Sequence, residues 1–221
     1  MFHRIYQFAL EGGLVSDRPT PRITSRKRPQ QARSTVLVST ILEAAVRVLA
    51  EEGAQRFTTA RVAERAGVSV GSLYQYFPNK ASILFRLQSD EWQQTTEQWR
   101  SILGDISQPP LDRLRHLVHT FIKSEFEEAS LRVALDDAAP LYRDAAEAQQ
   151  IHAEGDRIVE TFMLELLPKA TEQSRALAGE LIITTMTAVG KELSETPRTE
   201  ADIAAFADAM SSMFSAYITK L

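Results

Sequence analysis

The segment AERAGVSVGSLYQYFPNKASIL, residues 63–84, interrupts a chain that otherwise consists of long runs of helix-forming residues. Gly67 can end one helical segment, because glycine allows the positive φ of a sharp turn. Ser69 can then cap a very short helix, which has to stop before Pro78. Two helices joined by a tight turn that contains glycine, with the second helix short, form a helix-turn-helix. The segment therefore predicts an element of that kind.

The short helix carries small side chains at the positions that we expect to face outward. Val68, Leu73 and Phe77 are spaced to hold it against its neighbours. The outward positions are Val70, Gly71, Ser72, Tyr74 and Gln75. A DNA major groove about 12 Å wide admits a helix, and small residues would let its backbone approach the base edges. The pattern alone leaves a second interpretation open, in which the segment is a capped turn and the tyrosines belong to the core.

Groups suited to phosphate binding flank the short helix. The rings of Tyr74 and Tyr76 can pack while their hydroxyls reach phosphate oxygens. Lys80 falls in the first turn of the next helix, where backbone N–H groups and a cation together favour an anion. Thr58 and Thr59 stand at the corresponding place on the preceding helix. These positions suit a helix-turn-helix that is held on a DNA backbone.

Charge is distributed unevenly along the 221 residues, whose formal net charge is −4. Residues 1–86 contain 13 Lys and Arg against 6 Asp and Glu, whereas residues 87–221 contain 12 against 23. A basic front part of net +7 joined to an acidic rear part of net −11 favours a polyanionic partner for the front part. On charge alone, chance clustering of solvated side chains is the alternative.

The rest of the chain predicts an all-α protein. Apolar residues recur at helical spacing, no alternating strand pattern occurs, and nine Gly and nine Pro are few for a loop-rich β protein. One helix, residues 34–52, precedes the helix-turn-helix, and Gly53 is placed to end it as a left-handed cap. Thr58 or Thr59 is expected to cap the first helix of the helix-turn-helix, and Asn79 is expected to cap the helix that follows it. The helices predicted after it cover residues 80–103, 111–128, 130–136, 140–167, 172–193 and 200–220.

Several classes of protein and site are disfavoured. The chain has no Cys, which removes disulfides and thiolate chemistry and suits a reducing cytoplasm. No run of about 18 apolar residues predicts a membrane span, and the first ten residues are not expected to form a secretory signal. No nucleophile–base motif or glycine-rich phosphate loop occurs, so we predict no catalytic residue and no cofactor. His116 and His119 stand three apart on one helix, but satisfied or exposed histidines are much commoner than ligands, and we predict no metal site.

The segment FTTARVAERAGVSVGSLYQYFPNKASIL, residues 57–84, resembles the DNA-binding segment of the TetR family of bacterial transcriptional regulators. The matching order is an apolar residue with two threonines, then AERAGVS, GSLYQYF and PNK. The resemblance implies a three-helix DNA-binding domain, residues 32–80, and a larger helical domain for ligand binding and dimerisation, residues 81–221. It also implies repression of transcription that a small molecule relieves.

The resemblance implies roles for individual residues. Those placed to contact phosphates are Thr58, Thr59, Tyr76 and Lys80. Those placed to face the groove are Val70, Gly71, Ser72 and Tyr74. Residues 1–31 are expected to form an irregular, flexible basic arm. The side chains that could reach the minor groove or the phosphates from it are Arg26, Lys27, Arg28 and Arg33, with a free tail as the alternative.

The last two predicted helices are apolar and rich in small residues, as in LAGELIITTMTAVGKEL, residues 177–193, and ADIAAFADAMSSMFSAYI, residues 201–218. By the family parallel, such terminal helices form a two-fold dimer interface, and ordinary monomer core is the alternative. The residues assigned to the interface are Met186, Gly190, Phe206, Met210 and Phe214. A symmetric dimer presents two recognition helices about 34–36 Å apart and therefore predicts a palindromic operator.

Apolar and aromatic side chains of the rear helices can line an inducer cavity, although each of them can equally be core. The candidates are Trp92, Trp99, Phe121, Phe126, Tyr142, His152, Phe162 and Met163. The chain is thus predicted to be a cytoplasmic, dimeric, ligand-responsive repressor that binds a palindromic operator and is released by a small-molecule inducer. The alternatives are a nonspecific architectural DNA-binding protein without a ligand and, with no motif in its favour, an enzyme.

Overall fold

The computed structural model describes residues 32–138 and 146–221, and every regular element in these ranges is an α-helix. The all-α class expected from the sequence is confirmed. In chain order the helices are α1 (Ala32–Arg56), α2 (Thr59–Ala66), α3 (Val70–Tyr74), α4 (Lys80–Leu103), α5 (Pro110–Glu127), α6 (Ala129–Ala138), α7 (Ala146–Leu166), α8 (Glu172–Ser194) and α9 (Glu200–Ile218).

Backbone proximity divides the described residues into two compact units. The N-terminal unit contains residues 32–91 together with 130–138 and 146–148, and the C-terminal unit contains residues 92–129 and 149–221. Helix α4 therefore begins in one unit and ends in the other. The functional boundary expected after residue 80 remains a prediction.

The first helix is longer than the sequence suggested. Gly53 has the positive φ that was expected of a cap, 73°, but its ψ of 169° is extended rather than left-handed helical. Glycine tolerates this combination, so the chain kinks there and forms a further helical turn up to Arg56. The predicted end at residue 52 is therefore a kink inside the element.

Local caps define the helix-turn-helix. The Thr58 hydroxyl accepts a hydrogen bond from the backbone N–H of Arg61 and caps α2. Gly67 ends α2 in the left-handed conformation, with φ 66° and ψ 29°. The Ser69 hydroxyl accepts from the N–H of Ser72 at 3.0 Å and caps α3. All three roles agree with the sequence analysis.

The next helix, α4, has a cap of the same kind. The Asn79 side-chain oxygen accepts from the backbone N–H of Ser82 at 2.9 Å, while the Ser82 hydroxyl donates back to the Asn79 carbonyl oxygen at 2.7 Å. This reciprocal pair fixes the start of α4 at Lys80, directly after Pro78. The predicted capping role of Asn79 is confirmed.

A small apolar core holds the three N-terminal helices together. Helix α2 packs on α1, and α3 packs on α2. Leu73 and Phe77 are almost completely buried. Other apolar side chains of the N-terminal unit are buried to a similar extent, including Ile41, Leu49, Phe57, Val62, Ile83 and Leu84. Burial of these apolar side chains holds α3 in a fixed orientation within the N-terminal unit.

The C-terminal unit has its own core, in which α5 packs on both α8 and α9. Trp99 of α4 and Phe121 of α5 meet edge to face, with ring centroids 6.3 Å apart. Helix α9 begins with a capping box, in which the Thr199 hydroxyl and the Asp202 carboxylate satisfy each other's backbone N–H groups. Buried side chains of α4, α5, α7, α8 and α9 form this core as one cluster.

Within residues 32–138 and 146–221, no helix combines the length and apolar character that crossing a bilayer requires. Over the same ranges, no three His, Asp or Glu side chains converge as a set of metal ligands.

Candidate nucleic-acid interface

A hydrogen bond joins the two helices of the helix-turn-helix at their outer ends. The Thr59 Oγ1 and Tyr74 Oη atoms are 3.1 Å apart, and they connect the first residue of α2 with the last residue of α3. Tyr74 is 39% exposed and Thr59 is half-buried. Two side chains expected at a DNA surface therefore occur together on one accessible edge.

The outer face of α3 is open. Val70 is 40% exposed, and Gly71 is exposed as well. A Cβ atom added at Gly71 would have a single close neighbour, the Ser69 hydroxyl oxygen at 3.8 Å. The φ of Gly71 is not positive, so the backbone conformation does not require a glycine. Ser72 is half-buried, and its hydroxyl lies 2.8 Å from that of Ser69. Neither packing nor backbone geometry within the N-terminal unit explains why residue 71 is a glycine.

Tyr76 differs from the other predicted phosphate contacts, because its side chain is 9% exposed and belongs to the buried apolar residues. It directly precedes the enclosed Phe77, and its backbone N–H donates to the Leu73 carbonyl oxygen. The burial of Tyr76 therefore agrees with the interpretation, left open by the sequence pattern, that it is a core residue. Its predicted role at a phosphate remains a prediction.

Cations around the two helices fall into two groups. Arg61 pairs with Glu52 and Arg65 pairs with Glu51, so these arginines tie α2 to α1. Lys80 is exposed and has no carboxylate partner within the described residues. Lys80 is therefore available to an external anion.

One cation was missed by the sequence analysis. Arg56 ends α1 two residues before the Thr58 cap, is exposed, and pairs with no carboxylate of the described ranges. Arg56 stands two residues before Thr58 in the sequence, so its place beside the predicted phosphate contacts could have been recognised from the sequence. Thr58 itself is exposed.

The predicted arm contacts Arg26, Lys27 and Arg28 lie outside the described residues. Arg33 falls in the first turn of α1, but its side chain is also outside the described set. Their proposed DNA contacts therefore remain predictions.

Half of the eight residues expected to line an inducer cavity are packed core. Four of them are enclosed in the C-terminal unit: Trp99, Phe121, Phe162 and Met163. Trp92 and Phe126 are half-buried. Tyr142 lies outside the described residues, and His152 belongs to α7 without a described side chain. The core interpretation that the sequence left open accounts for the packing of the four enclosed residues.

An open cleft of about 480 Å³ does adjoin one of these residues. It lies where the end of α4, the start of α5 and the second half of α7 meet. Phe162 forms part of its wall together with Leu103, Ile106 and Ile158, and charged side chains surround this apolar surface: Arg100, Arg113, Glu154, Arg157 and Glu165.

The residues expected at a dimer interface also occupy the unit's own core, with one exception. Met186, Met210 and Phe214 are enclosed, and Gly190 lies against Phe121 of α5. Phe206 is 37% exposed, with the Arg198 guanidinium 5.2 Å above its ring. Other apolar side chains of α8 and α9 are exposed: Leu177, Leu181 and Met213. The apolar character of both helices was predictable from the sequence, whereas their division into a buried and an exposed face was not.

Two family models match the chain. The model described as "Bacterial regulatory proteins, tetR family" matches residues 41–87, which contain the helix-turn-helix. The model described as "Tetracyclin repressor-like, C-terminal domain" matches residues 109–221, which is half of the chain.

Individual proteins are similar over a shorter extent. The HTH-type transcriptional repressor KstR of Rhodococcus jostii is 28% identical over 141 residues, 62% of this chain and 64% of that protein. The nucleoid occlusion factor SlmA of Vibrio campbellii is 30% identical over 128 residues, 58% of this chain and 64% of that protein. The chain thus spans less than two thirds of the length of these curated relatives.

A solved structure extends the comparison to the whole fold. The transcriptional regulator FadR of Bacillus subtilis, in complex with stearoyl-CoA, superposes with a TM-score of 0.62 over 80% of this chain and 96% of that one. The two sequences are 18% identical, so this likeness establishes the fold alone.

Proposed function

The chain belongs to the TetR family of bacterial transcriptional regulators, and from this premise we propose that it is a dimeric repressor that a small-molecule inducer releases from a palindromic operator. The family is one of non-enzymatic regulators, so the chain is a transcriptional regulator and not an enzyme. Binding to DNA occurs through the helix-turn-helix. The palindromic operator, the small-molecule inducer and the dimeric state are the parts that we propose.

The observation that carries the proposal is the open outer face of α3. The N-terminal unit leaves the space around Gly71 unfilled. Along α3, Gly71 follows the exposed Val70 and comes before the exposed Tyr74. A bare backbone of this kind suits close approach to base edges in a major groove. Lys80 and Arg56 are exposed and have no carboxylate partners among the described side chains, which supports their proposed role as contacts to the flanking phosphates.

A second copy of the chain is proposed to cover the exposed apolar side chains of α8 and α9. Leu177 is 60% exposed and Leu181 lies on the same face one turn later. Phe206 and Met213 stand seven residues apart and likewise share one face of α9. Exposed apolar groups on one face of a helix favour association, because association removes them from water. The dimer would present two copies of α3 about one DNA turn apart.

Ligand binding is proposed for the C-terminal unit. The structurally similar FadR of Bacillus subtilis was solved with stearoyl-CoA, and KstR is a repressor, which together support an amphipathic effector that changes operator affinity. A ligand changes the operator affinity only if it binds two conformations of the regulator with different affinities.

Selection of bound duplexes from a random DNA pool tests this function. We expect recovery of an inverted repeat whose half-site centres lie about 10 base pairs, or a multiple of that spacing, apart. A pool that stays unenriched at low ionic strength, while the purified chain remains helical and folded, contradicts the proposal. A single unrepeated half-site would contradict the dimeric part of it.

A second candidate is a DNA-bound protein that responds to no small molecule. The similarity to a nucleoid occlusion factor favours it, because that name describes a chromosome-associated role. The two candidates differ in one measurement. An inducible repressor shows a duplex affinity that falls when an effector is added, whereas the alternative keeps the same affinity across a library of metabolites.

A further inference from the structure

We propose that Gln75 reads an adenine in each half-site of the operator, so that one A·T base pair at a fixed position determines where this regulator binds. The inference rests on the proposed function, because it names a base pair that the helix-turn-helix recognises and the residue that recognises it. Gln75 directly follows the last residue of α3, and its φ of −64° and ψ of −29° continue the helical path.

Gln75 lies on the side of α3 that faces away from the protein. Leu73, Tyr76 and Phe77 define the buried side, with exposed fractions of 0%, 9% and 1%. The Phe77 N–H donates to the Leu73 carbonyl oxygen at 3.0 Å, so helical hydrogen bonding continues past Gln75. Because an α-helix turns by about 100° per residue, Gly71 and Gln75 are neighbours on the side opposite these three residues. The bare Gly71 lets this side approach base edges, and the Gln75 side chain can then reach them.

The Gln75 amide is available to a base, whereas the hydroxyls near it already have partners. Gln75 is exposed, and its side chain forms no hydrogen bond with a described residue. The Ser69 and Ser72 hydroxyls lie 2.8 Å apart, and the Tyr74 hydroxyl bonds to Thr59. Among the polar side chains of residues 69–75, the amide of Gln75 is therefore the one without an internal partner.

An amide at this place discriminates between base pairs. Residues 66–79 contain no Lys or Arg, so α3 offers none of the bidentate contacts that these cations make with guanine. The other amide of this segment belongs to Asn79, whose side-chain oxygen caps α4. A glutamine amide presents a donor and an acceptor side by side, which matches the N7 acceptor and the N6 amino group of adenine in the major groove. An A·T pair is therefore the pair that Gln75 favours.

A phosphate contact is the competing role for an exposed amide, and it would strengthen binding to every sequence alike. The position of Gln75 favours the base. It shares a face of α3 with Gly71, whereas the cations proposed to bind phosphates, Lys80 and Arg56, belong to the neighbouring helices α4 and α1.

The test uses the full chain and the duplex recovered by selection. Each of the four base pairs is placed in turn at every position of both half-sites, and fluorescence anisotropy measures the affinities. At one position, the unmodified chain is expected to bind A·T at least about tenfold more tightly than any other pair. Gln75→Ala should reduce the differences at that position to less than about threefold and keep the preferences elsewhere. Gln75→Glu should prefer C·G there, because a carboxylate accepts from the N4 amino group of cytosine.

Gln98→Glu is the matched control for the added charge, since Gln98 is an exposed glutamine of α4 in the C-terminal unit. It should keep every base preference of the unmodified chain. Gln75 is exposed as well, so both of its variants should unfold at the same urea concentration as the unmodified chain.

Three results would overturn the inference. The folded Gln75→Ala protein could keep the base preference of the unmodified chain at every position, or it could bind all duplexes more weakly by one common factor, as loss of a phosphate contact predicts. The position that Gln75→Ala changes could also be one at which the unmodified chain prefers a G·C pair. These failures are distinct from failure of the proposed function, which fails when no duplex is selected at all.

Discussion

The hydroxyls of Thr59 and Tyr74 lie 3.1 Å apart and form the one contact in which two predicted DNA-facing side chains of the described chain bond to each other. One of the two O–H groups donates within the pair, which leaves the other proton for an external acceptor such as a phosphate oxygen. The bond also restrains the Tyr74 ring, which is 39% exposed, before any DNA is present. The two helices thus share one preorganised polar edge.

Removal of either hydroxyl should weaken binding to a selected duplex without unfolding the protein. We expect Tyr74→Phe and Thr59→Val each to lower the affinity about three- to tenfold, in line with about 0.5–1.5 kcal/mol for a hydrogen bond. Fluorescence anisotropy measures both, and Tyr217→Phe in α9 is the control. The double variant should depart from additivity, because the two groups act as one unit. Strict additivity, or two silent single variants, would refute the shared edge.

Lys80 should contribute through its charge and not through sequence recognition. Each phosphate contact of a duplex contributes about 0.9 to the slope of log affinity against log salt concentration, and a dimer carries two copies of Lys80. Lys80→Gln is therefore expected to reduce the slope by about 1.8 while the preferred sequence stays the same. Arg86→Gln is the control, because Arg86 already pairs with Asp90 at 2.7 Å. Equal slopes for Lys80→Gln and the unmodified chain would exclude the phosphate contact.

The exposed apolar side chains of α8 and α9 should control the oligomeric state. Leu181→Glu or Met213→Glu places a charge on a surface that the proposed dimer buries, and burial of an unpaired charge is costly. Sedimentation velocity is expected to show a dimer for the unmodified chain and a monomer for either variant. Leu164→Glu, at a similarly exposed leucine of α7, should stay dimeric. A dimer that persists in both variants would place the interface elsewhere.

The local structure of the helix-turn-helix could be predicted because its signals are local. Thr58, Gly67, Ser69 and Asn79 each act within three or four residues of their own position, and the structure confirms all four caps. Gly53 shows the limit of this reasoning. Its positive φ was predictable, but whether the chain leaves the helix or resumes it depends on ψ, which the residue type does not determine.

Burial could not be predicted where a helix is apolar on more than one face. Tyr74 and Tyr76 stand two residues apart, yet the first is 39% exposed and the second 9% exposed, a difference that residue type does not determine. In α9 the same ambiguity made Met210 and Phe214 candidates for an interface, whereas Phe206 and Met213 are the exposed residues. The cleft escaped prediction because Arg100, Arg113 and Arg157 are far apart in the sequence.

Gly71 allows the most direct measurement, since the protein's own packing leaves open space at its missing side chain and the proposed function puts a DNA groove there. Gly71→Leu should keep the free energy of unfolding in urea within about 1 kcal/mol of the unmodified value, because the added atoms meet open space. Gly67→Ala should lower it by about 1–2 kcal/mol, because φ there is +66°.

The decisive quantity is the affinity of folded Gly71→Leu protein for the selected duplex, measured by anisotropy at fixed salt. The account predicts a loss of at least about tenfold relative to the unmodified chain, because the leucine obstructs the base edges. Unchanged affinity in the folded variant would contradict the claim that α3 enters the groove.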